Sequence, residues 1–296
     1  MFVINKAKLE ALYRSFNKLL DQSFDQSPYR ETFDLIATET RDPNFELHSF
    51  ISARLNAGMK EDTGEPEAGA IRVEEVVQRV KRWYDAFSMS VDDFNNDKLD
   101  LYRSQIEDMA ESYMEHRTLL ATAVLESGFS SNSYDGQPFF SASHRLLGVP
   151  GQTQSNLVTG GFGETTLKKA LELLGRMRND NGRILGLRGT HLIVPPELEY
   201  DARKLVEATL IGGVGTNVLA GRLTVVTNPF LTAADKVYVL DASRRMRKPV
   251  IFHLAKPPRL VPDDTKVVSR EVIEWYFRGT YNAYLGIYQT IVAITP

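Results

Sequence analysis

Apolar positions at three- and four-residue spacing open the chain. Leu9, Leu12, Tyr13, Phe16, Leu19 and Leu20 fall on one face of a helix over residues 6–21, with Asn5 placed to cap it. The polar stretch DQSFDQSPYR follows, so the apolar stripe either docks on its own domain or reaches a neighbouring subunit. Residues 42–70 hold Pro43, Gly58, Gly64, Pro66 and Gly69, and four acids crowd residues 61–67, which reads as a solvated loop or hairpin tip. Val73, Val76, Val77 and Val80 form a short helical stripe. From residue 83 to 91 the period becomes two. Trp83, Phe87, Met89 and Val91 share one side, interrupted by Asp85; Tyr84, Ala86, Ser88 and Ser90 take the other, as in a strand with one better-buried face.

Tyr102, Ile106, Met109, Tyr113, Leu120 and Val124 then keep a helical period, with no proline or glycine between residues 95 and 127. This predicts a rod about 45–50 Å long, closed by Gly128 just past its end. Residues 129–163 are rich in Ser, Asn, Gly and Gln and show little periodicity; loops of such length usually carry function or an interface. From Thr165 the pattern turns α/β. Leu167, Ala170, Leu171, Leu174 and Met177 mark a helix, residues 179–182 a turn, and His191 to Val194 a strand stopped by Pro195 and Pro196. Those prolines open a helix carrying Leu198, Ala202, Leu205 and Val206, which the glycine run at 211–216 breaks. Strands are predicted at 223–227, 237–240, 250–254, 272–277 and 287–294, so the fold class is α+β.

Composition narrows the function classes. The 296 residues are 43% hydrophobic and 25% charged, an ordinary globular balance. Lys plus Arg is 35 against 38 Asp plus Glu, a net charge of −3 that disfavours a dedicated nucleic-acid binder. Absence of cysteine removes disulfides, thiolate metal sites and a cysteine nucleophile together. No apolar stretch approaches the ~18 residues that cross a bilayer, and no secretory h-region is visible, so the expectation is a soluble protein made in a cytoplasm.

Candidate chemistry is sparse. His48, His116, His144, His191 and His253 do not pair within a helical turn, as zinc motifs require. Asp93, Asn95 and Asp97 offer oxygens, but an EF-hand counted from Asp93 needs glycine at Lys98 and glutamate at Ser104, so helix capping explains them better. The glycines at 160–163 and 212–215 complete neither a dinucleotide nor a phosphate loop. Asp135, Ser141 and His144 lie close in sequence without a nucleophile elbow. RRMRK at 244–248 is the densest basic run, read as a solvated turn or a subunit salt-bridge partner. No catalytic, metal or cofactor-binding residue is assigned, and the expectation is a protein that is not an enzyme. Parts that cannot bury their apolar faces alone point to assembly between copies.

Several segments then carry a resemblance. They are INKAKLEALYRSFNKLLDQSF with LIATETRDPNFELHSF, SMSVDDFNNDKLDLY, SYDGQPFFSASH at 133–144, GLRGTHLIVPPELEYDARKLV, LTVVTNPFL, YVLDASRRMRKPVIF and WYFRGTYNAYLGIYQTIVAI. In this order they resemble the major head subunits of Mu-like tailed bacteriophages, the gene product T family, with 133–144 the most specific match. One departure is FISARLNAGMKEDTGEPEAGAIRVEEVV at 50–77, where the family usually has a Trp-x-Gly type segment and a differently built excursion.

The resemblance implies an HK-97 type capsid fold. Residues 1–32 would be the N-arm, 33–91 the E-loop and adjoining strand, and 92–164 the peripheral domain with its spine helix. Residues 165–240 would be the axial domain and 241–296 the returning strands of the peripheral domain. It implies hexamers and pentamers closing into an icosahedral shell around double-stranded DNA, assembled in the host bacterial cytoplasm and resident in the virion capsid. Expected partners are the chain itself, a separate scaffold protein (Met1 stands directly before the arm-like helix), a portal and a decoration protein, with non-specific DNA contact and no membrane. Charge complementarity nominates the acidic tip, Glu61, Asp62, Glu65 and Glu67, against Arg244, Arg245 and Arg247 of a neighbour. An encapsulin-like shell and an enzyme with an unrecognised site on the α/β module are the competing readings.

Overall fold

The computed structural model describes residues 5–42, 51, 79–96, 98–208, 210–211, 215–243 and 247–296. Helix α1 (Lys6–Gln26) is capped by Asn5, whose Oδ1 accepts from the backbone N–H groups of Ala7 and Lys8 at 3.1 and 3.2 Å. It runs five residues past the expected end at 21, because no breaker precedes Pro28. Its stripe docks on its own chain, burying Leu12, Phe16 and Leu20. Asn17, the one polar residue on that face, trades two hydrogen bonds with the backbone of Leu260, each 3.1 Å, and so pairs the helix to a strand. Helix α2 (Tyr29–Ile36) and strand β1 (Ala37–Thr40) follow.

Strand β2 (Lys81–Ser90) has the predicted alternation, with Met89 buried, Trp83 and Phe87 half-buried, and Tyr84, Ala86 and Ser88 exposed. Two expectations nearby are corrected. Val91 belongs to a separate short helix, α3 (Val91–Asn95), capped by the Ser90 hydroxyl with Asp92 and Asp93 in its first turn. Val80 lies in irregular chain, 37% exposed, rather than on a helical stripe; Val73, Val76 and Val77 lie outside the described residues.

The rod is α4 (Asp100–Ser127), 28 residues and therefore about 42 Å long, shorter than expected because the chain breaks around Leu99. Gly128 also differs from expectation. Its φ is −61°, so no left-handed turn requires glycine; a Cβ there would meet Phe139 at 3.0 Å and Phe140 at 3.1 Å, and close packing does. Residues 129–163 hold only short strands, β3 (His144–Arg145), β4 (Thr153–Gln154) and β5 (Leu157–Thr159).

Next come α5 (Glu164–Arg176), β6 (His191–Val194), a 3-10 turn (Pro196–Leu198), α6 (Glu199–Glu207), β7 (Leu210–Ile211), β8 (Gly215–Thr216), β9 (Thr224–Thr227) and β10 (Val237–Leu240). The tail strands β11 (Val250–Asp263) and β12 (Val272–Leu285) are far longer than predicted and flank a short helix, α7 (Val267–Arg270). The alternation of β11 is hidden in sequence by register irregularities between Leu254 and Arg259, where Pro257 and Pro258 cannot donate to a ladder. The predicted strand at 287–294 divides into a 3-10 turn (Tyr288–Thr290) and β13 (Ile291–Thr295).

Two sheets result. One has the order β1-β11-β12-β2, with α1, α2 and α4 packed on it. The other has the order β5-β13-β10-β6-β9, with α5 and α6 against it. Residues 291–295, grouped above with the strands returning to the peripheral domain, pair with β10 and β5 in this second sheet. Its central strands are buried on both faces. Ile193, Tyr238, Leu240, Ile291 and Ala293 enter the core of the first sheet; Leu192, Val194, Val237, Val239, Val292 and Ile294 enter the core beneath α5 and α6.

Glu271, which ends α7, is left-handed at φ 57° and ψ 34°. A side chain strains there and glycine does not. Glu271→Gly is expected to raise stability by about 0.5–1 kcal/mol, read as a higher urea midpoint at unchanged slope.

Candidate assembly site

The segment 133–144 folds into a buried polar knot. Asp135, Ser141, His144 and Asn156 are all buried. His144 Nδ1 lies 2.8 Å from Asp135 Oδ2, and its Nε2 lies 3.1 Å from both Phe139 O and Asn156 Oδ1. The ring stacks on Tyr288 with centroids 3.6 Å apart. Asp135 and His144 therefore meet, but Ser141 does not join them as a nucleophile: its Oγ accepts from the N–H of Ser143 at 3.2 Å. Beside the knot, Tyr134 donates to Asp180 at 3.0 Å and accepts from Gln289. Burial pushes the Tyr134 and Tyr288 hydroxyls far above the ordinary phenol range, so both stay neutral hydrogen-bonding groups.

A second polar seam joins the rod to the two-faced sheet. Asn228 Nδ2 donates to Thr122 Oγ1 at 2.9 Å in a fully buried setting. The Glu126 carboxylate accepts from the N–H groups of Thr232 and Ala233, both at 3.0 Å, and from the Thr232 hydroxyl at 2.9 Å. Charge-assisted bonds of this kind are roughly twice as strong as neutral ones. Together the knot and the seam hold the two bodies in one orientation.

Apolar side chains remain outside this frame. Tyr84 on β2 is 76% exposed, Leu101 at the start of α4 is 72% exposed, and Val268 on α7 is 89% exposed. β2 is an edge strand among the described residues, and Arg278, opposite Tyr84 in register, sits over the Tyr276 ring at 4.2 Å. Contiguous apolar patches mark sites of association, and apolar side chains exposed singly are ordinary on a protein surface. No motif or run in the sequence marks these three. The available signal was position: Tyr84 falls on the polar side of a two-residue period, and Leu101 falls off the stripe that begins at Tyr102.

Of the residues nominated from sequence, Glu61, Asp62, Glu65, Glu67, Arg244 and Arg245 lie outside the described residues. Arg247 is described and half-buried, next to buried Lys248, whose Nζ donates to Ala242 O at 3.0 Å. Among the described residues no cluster of His, Asp or Glu could hold a metal ion, and no helix is long and apolar enough to cross a membrane. Asp93 accepts from the Tyr102 hydroxyl at 2.8 Å, a structural use of the acids at 92–100. An open groove of about 710 Å³ between β4 and α5 is lined by Leu146, Leu173, Met177, Ile184, Arg176 and Arg178, with neither carboxylate nor imidazole in its lining.

Burial lowers the proton affinity of His116 and His191, the latter further through nearby Lys248. The folded state thus binds fewer protons than the unfolded one as pH falls through the ordinary histidine range near 6.5. These two rings contribute stability that is present above that range and lost below it. The urea midpoint is expected to drop on acidification, and to drop less in the His116→Gln/His191→Gln double variant.

The chain matches the family model described as phage capsid protein over residues 73–292. No curated protein matches it. Among solved structures it resembles a subunit in the procapsid of bacteriophage JBD30, at 16% identity and TM-score 0.52, covering 99% of this chain and 76% of that one. It also resembles a phage-related protein from Bordetella bronchiseptica, at 10% identity and TM-score 0.56, covering 94% and 96%. A virus-like particle from Pyrococcus furiosus matches at 10% identity and TM-score 0.54, covering 96% and 99%. At these identities the likeness is one of fold, and that fold is the HK-97 type.

Proposed function

From the premise that this chain belongs to the phage capsid protein family, we propose that it is the major head subunit of a Mu-like tailed bacteriophage. Copies ring into hexamers and pentamers, and these close into an icosahedral shell around double-stranded DNA. The observation that carries the reading is the family match across residues 73–292, on a chain whose match to a procapsid subunit covers 99% of its length. Residues 1–32 are then the N-arm, 33–91 the E-loop and its strand, 92–164 with 241–296 the peripheral domain, and 165–240 the axial domain, with β5 and β13 crossing that division to pair in the sheet of β10. The role is structural and not enzymatic, in keeping with the capsid family to which the chain belongs.

Cohesion would come from many modest contacts per subunit, each new one made intramolecular by those before it. A scaffold protein, a portal and a decoration protein are the proposed partners, and the site of assembly is the host cytoplasm. An encapsulin-like shell is the second reading, favoured by the fit to the virus-like particle over 99% of that chain.

Negative-stain electron microscopy of the chain, expressed alone and with a candidate scaffold, tests this reading. Closed shells or five- and six-membered rings are expected; a stable monomer in both conditions at high concentration overturns it. Shells enclosing protein cargo instead of DNA select the second reading. Tyr84→Asp, Leu101→Asp and Val268→Asp are expected to leave the unfolding free energy from urea titration within about 0.5 kcal/mol of the parent while lowering shell yield. The proposed contact between the acidic tip and the basic run has its own test. Replacing Arg244, Arg245 and Arg247 with Glu should reduce shell yield most at low salt, and unchanged yield at both low and high salt removes that contact.

A further inference from the structure

Every group presented to the His144 ring is a hydrogen-bond acceptor. Nδ1 faces the Asp135 carboxylate; Nε2 faces a backbone carbonyl and the Asn156 side-chain oxygen. The orientation of the Asn156 amide is set twice. Its Oδ1 accepts from the N–H of Ser141 at 2.9 Å, and its Nδ2 donates to Phe139 O at 2.8 Å. A neutral imidazole has one donor and one acceptor nitrogen, so it would leave one of these contacts unmade. Both oxygens of Asp135 are already engaged by backbone donors. Its Oδ1 accepts from the N–H of Gln137 at 3.2 Å, and its Oδ2 accepts from the N–H of Arg145 at 3.0 Å as well as facing the ring. The side chains of both residues are fully shielded from solvent.

We propose that His144 is held as an imidazolium in a buried ion pair with Asp135, and that this charged clamp is what fastens residues 133–156 to the two-faced sheet. Other ring neighbours are consistent with a cation. Tyr288 offers its π-face from the turn before β13, and Tyr134 leads on to the Asp180 carboxylate from the loop after α5. The nearby Arg145 meets Asp135 through its backbone, and its side chain lies on the exposed side of β3.

The test is nitrogen NMR of the full chain labelled at histidine, in solution or as sedimented assemblies, at pH 7.5. One of the five histidines is expected to show two protonated ring nitrogens. That signal should vanish in His144→Gln. Should His144→Gln not fold, Tyr288→Leu assigns the ring instead, since it removes the stacked π-face, leaves every acceptor in place and shifts the same resonances. The proposal is overturned if all five histidines show a bare nitrogen, or if the doubly protonated one responds to neither variant.

Discussion

A sheet buried on both faces is the constraint on which this subunit depends. In β6, β10 and β13, successive side chains feed two different hydrophobic cores, so each strand is apolar at every buried position, with His191 and Thr295 at strand ends outside both cores. A register slip of one residue would exchange the two sets and misfill both cores at once. The runs HLIV, VYVL and IVAI are continuous for this reason, where the one-sided strand β2 alternates. Everything else is arranged about that shared wall: the rod and the β11–β12 ribbon on one side, α5 and α6 on the other.

Hydrophobic burial does not by itself orient two bodies, because it has no direction. Direction comes from polar groups buried along the seams. Glu126 and Thr122 tie the end of the rod to the loop after β9, and the knot about Asp135, His144 and Asn156 ties the irregular segment to the turn before β13. Each seam pairs residues about a hundred or more positions apart, or closes a loop that has almost no regular structure of its own. A capsid subunit needs such rigidity, since small errors in the angle between its bodies accumulate around a closed shell.

Much of the fold was legible in sequence where one periodicity ran unbroken. The opening stripe and the alternation from Trp83 to Met89 are present, and of the rod's expected stripe Ile106, Met109 and Tyr113 are buried while Tyr102, Leu120 and Val124 are half-buried. The misses share a cause. β11 outruns its expected span because two prolines and register irregularities hide its alternation, and β12 because Gly279 stands in its buried row, while long-range pairing carries both strands on. Gly128 was assigned to a turn when the aromatic rings of Phe139 and Phe140 require it, a contact invisible along the chain. The family resemblance supplied the architecture; residue patterns alone reached only α+β.

By itself, the sequence determined the elements, the apolar character of the two-faced strands, the absence of thiol chemistry and the family. Those depend on local spacing and residue type. Only the tertiary structure decided which core each side chain enters, that α1 lies on its own chain, that Asp135 meets His144 while Ser141 turns away, and that Tyr84, Leu101 and Val268 are left outside. Those outcomes depend on distances between residues far apart in the chain, and periodicity along a strand or helix carries no record of what lies across from it.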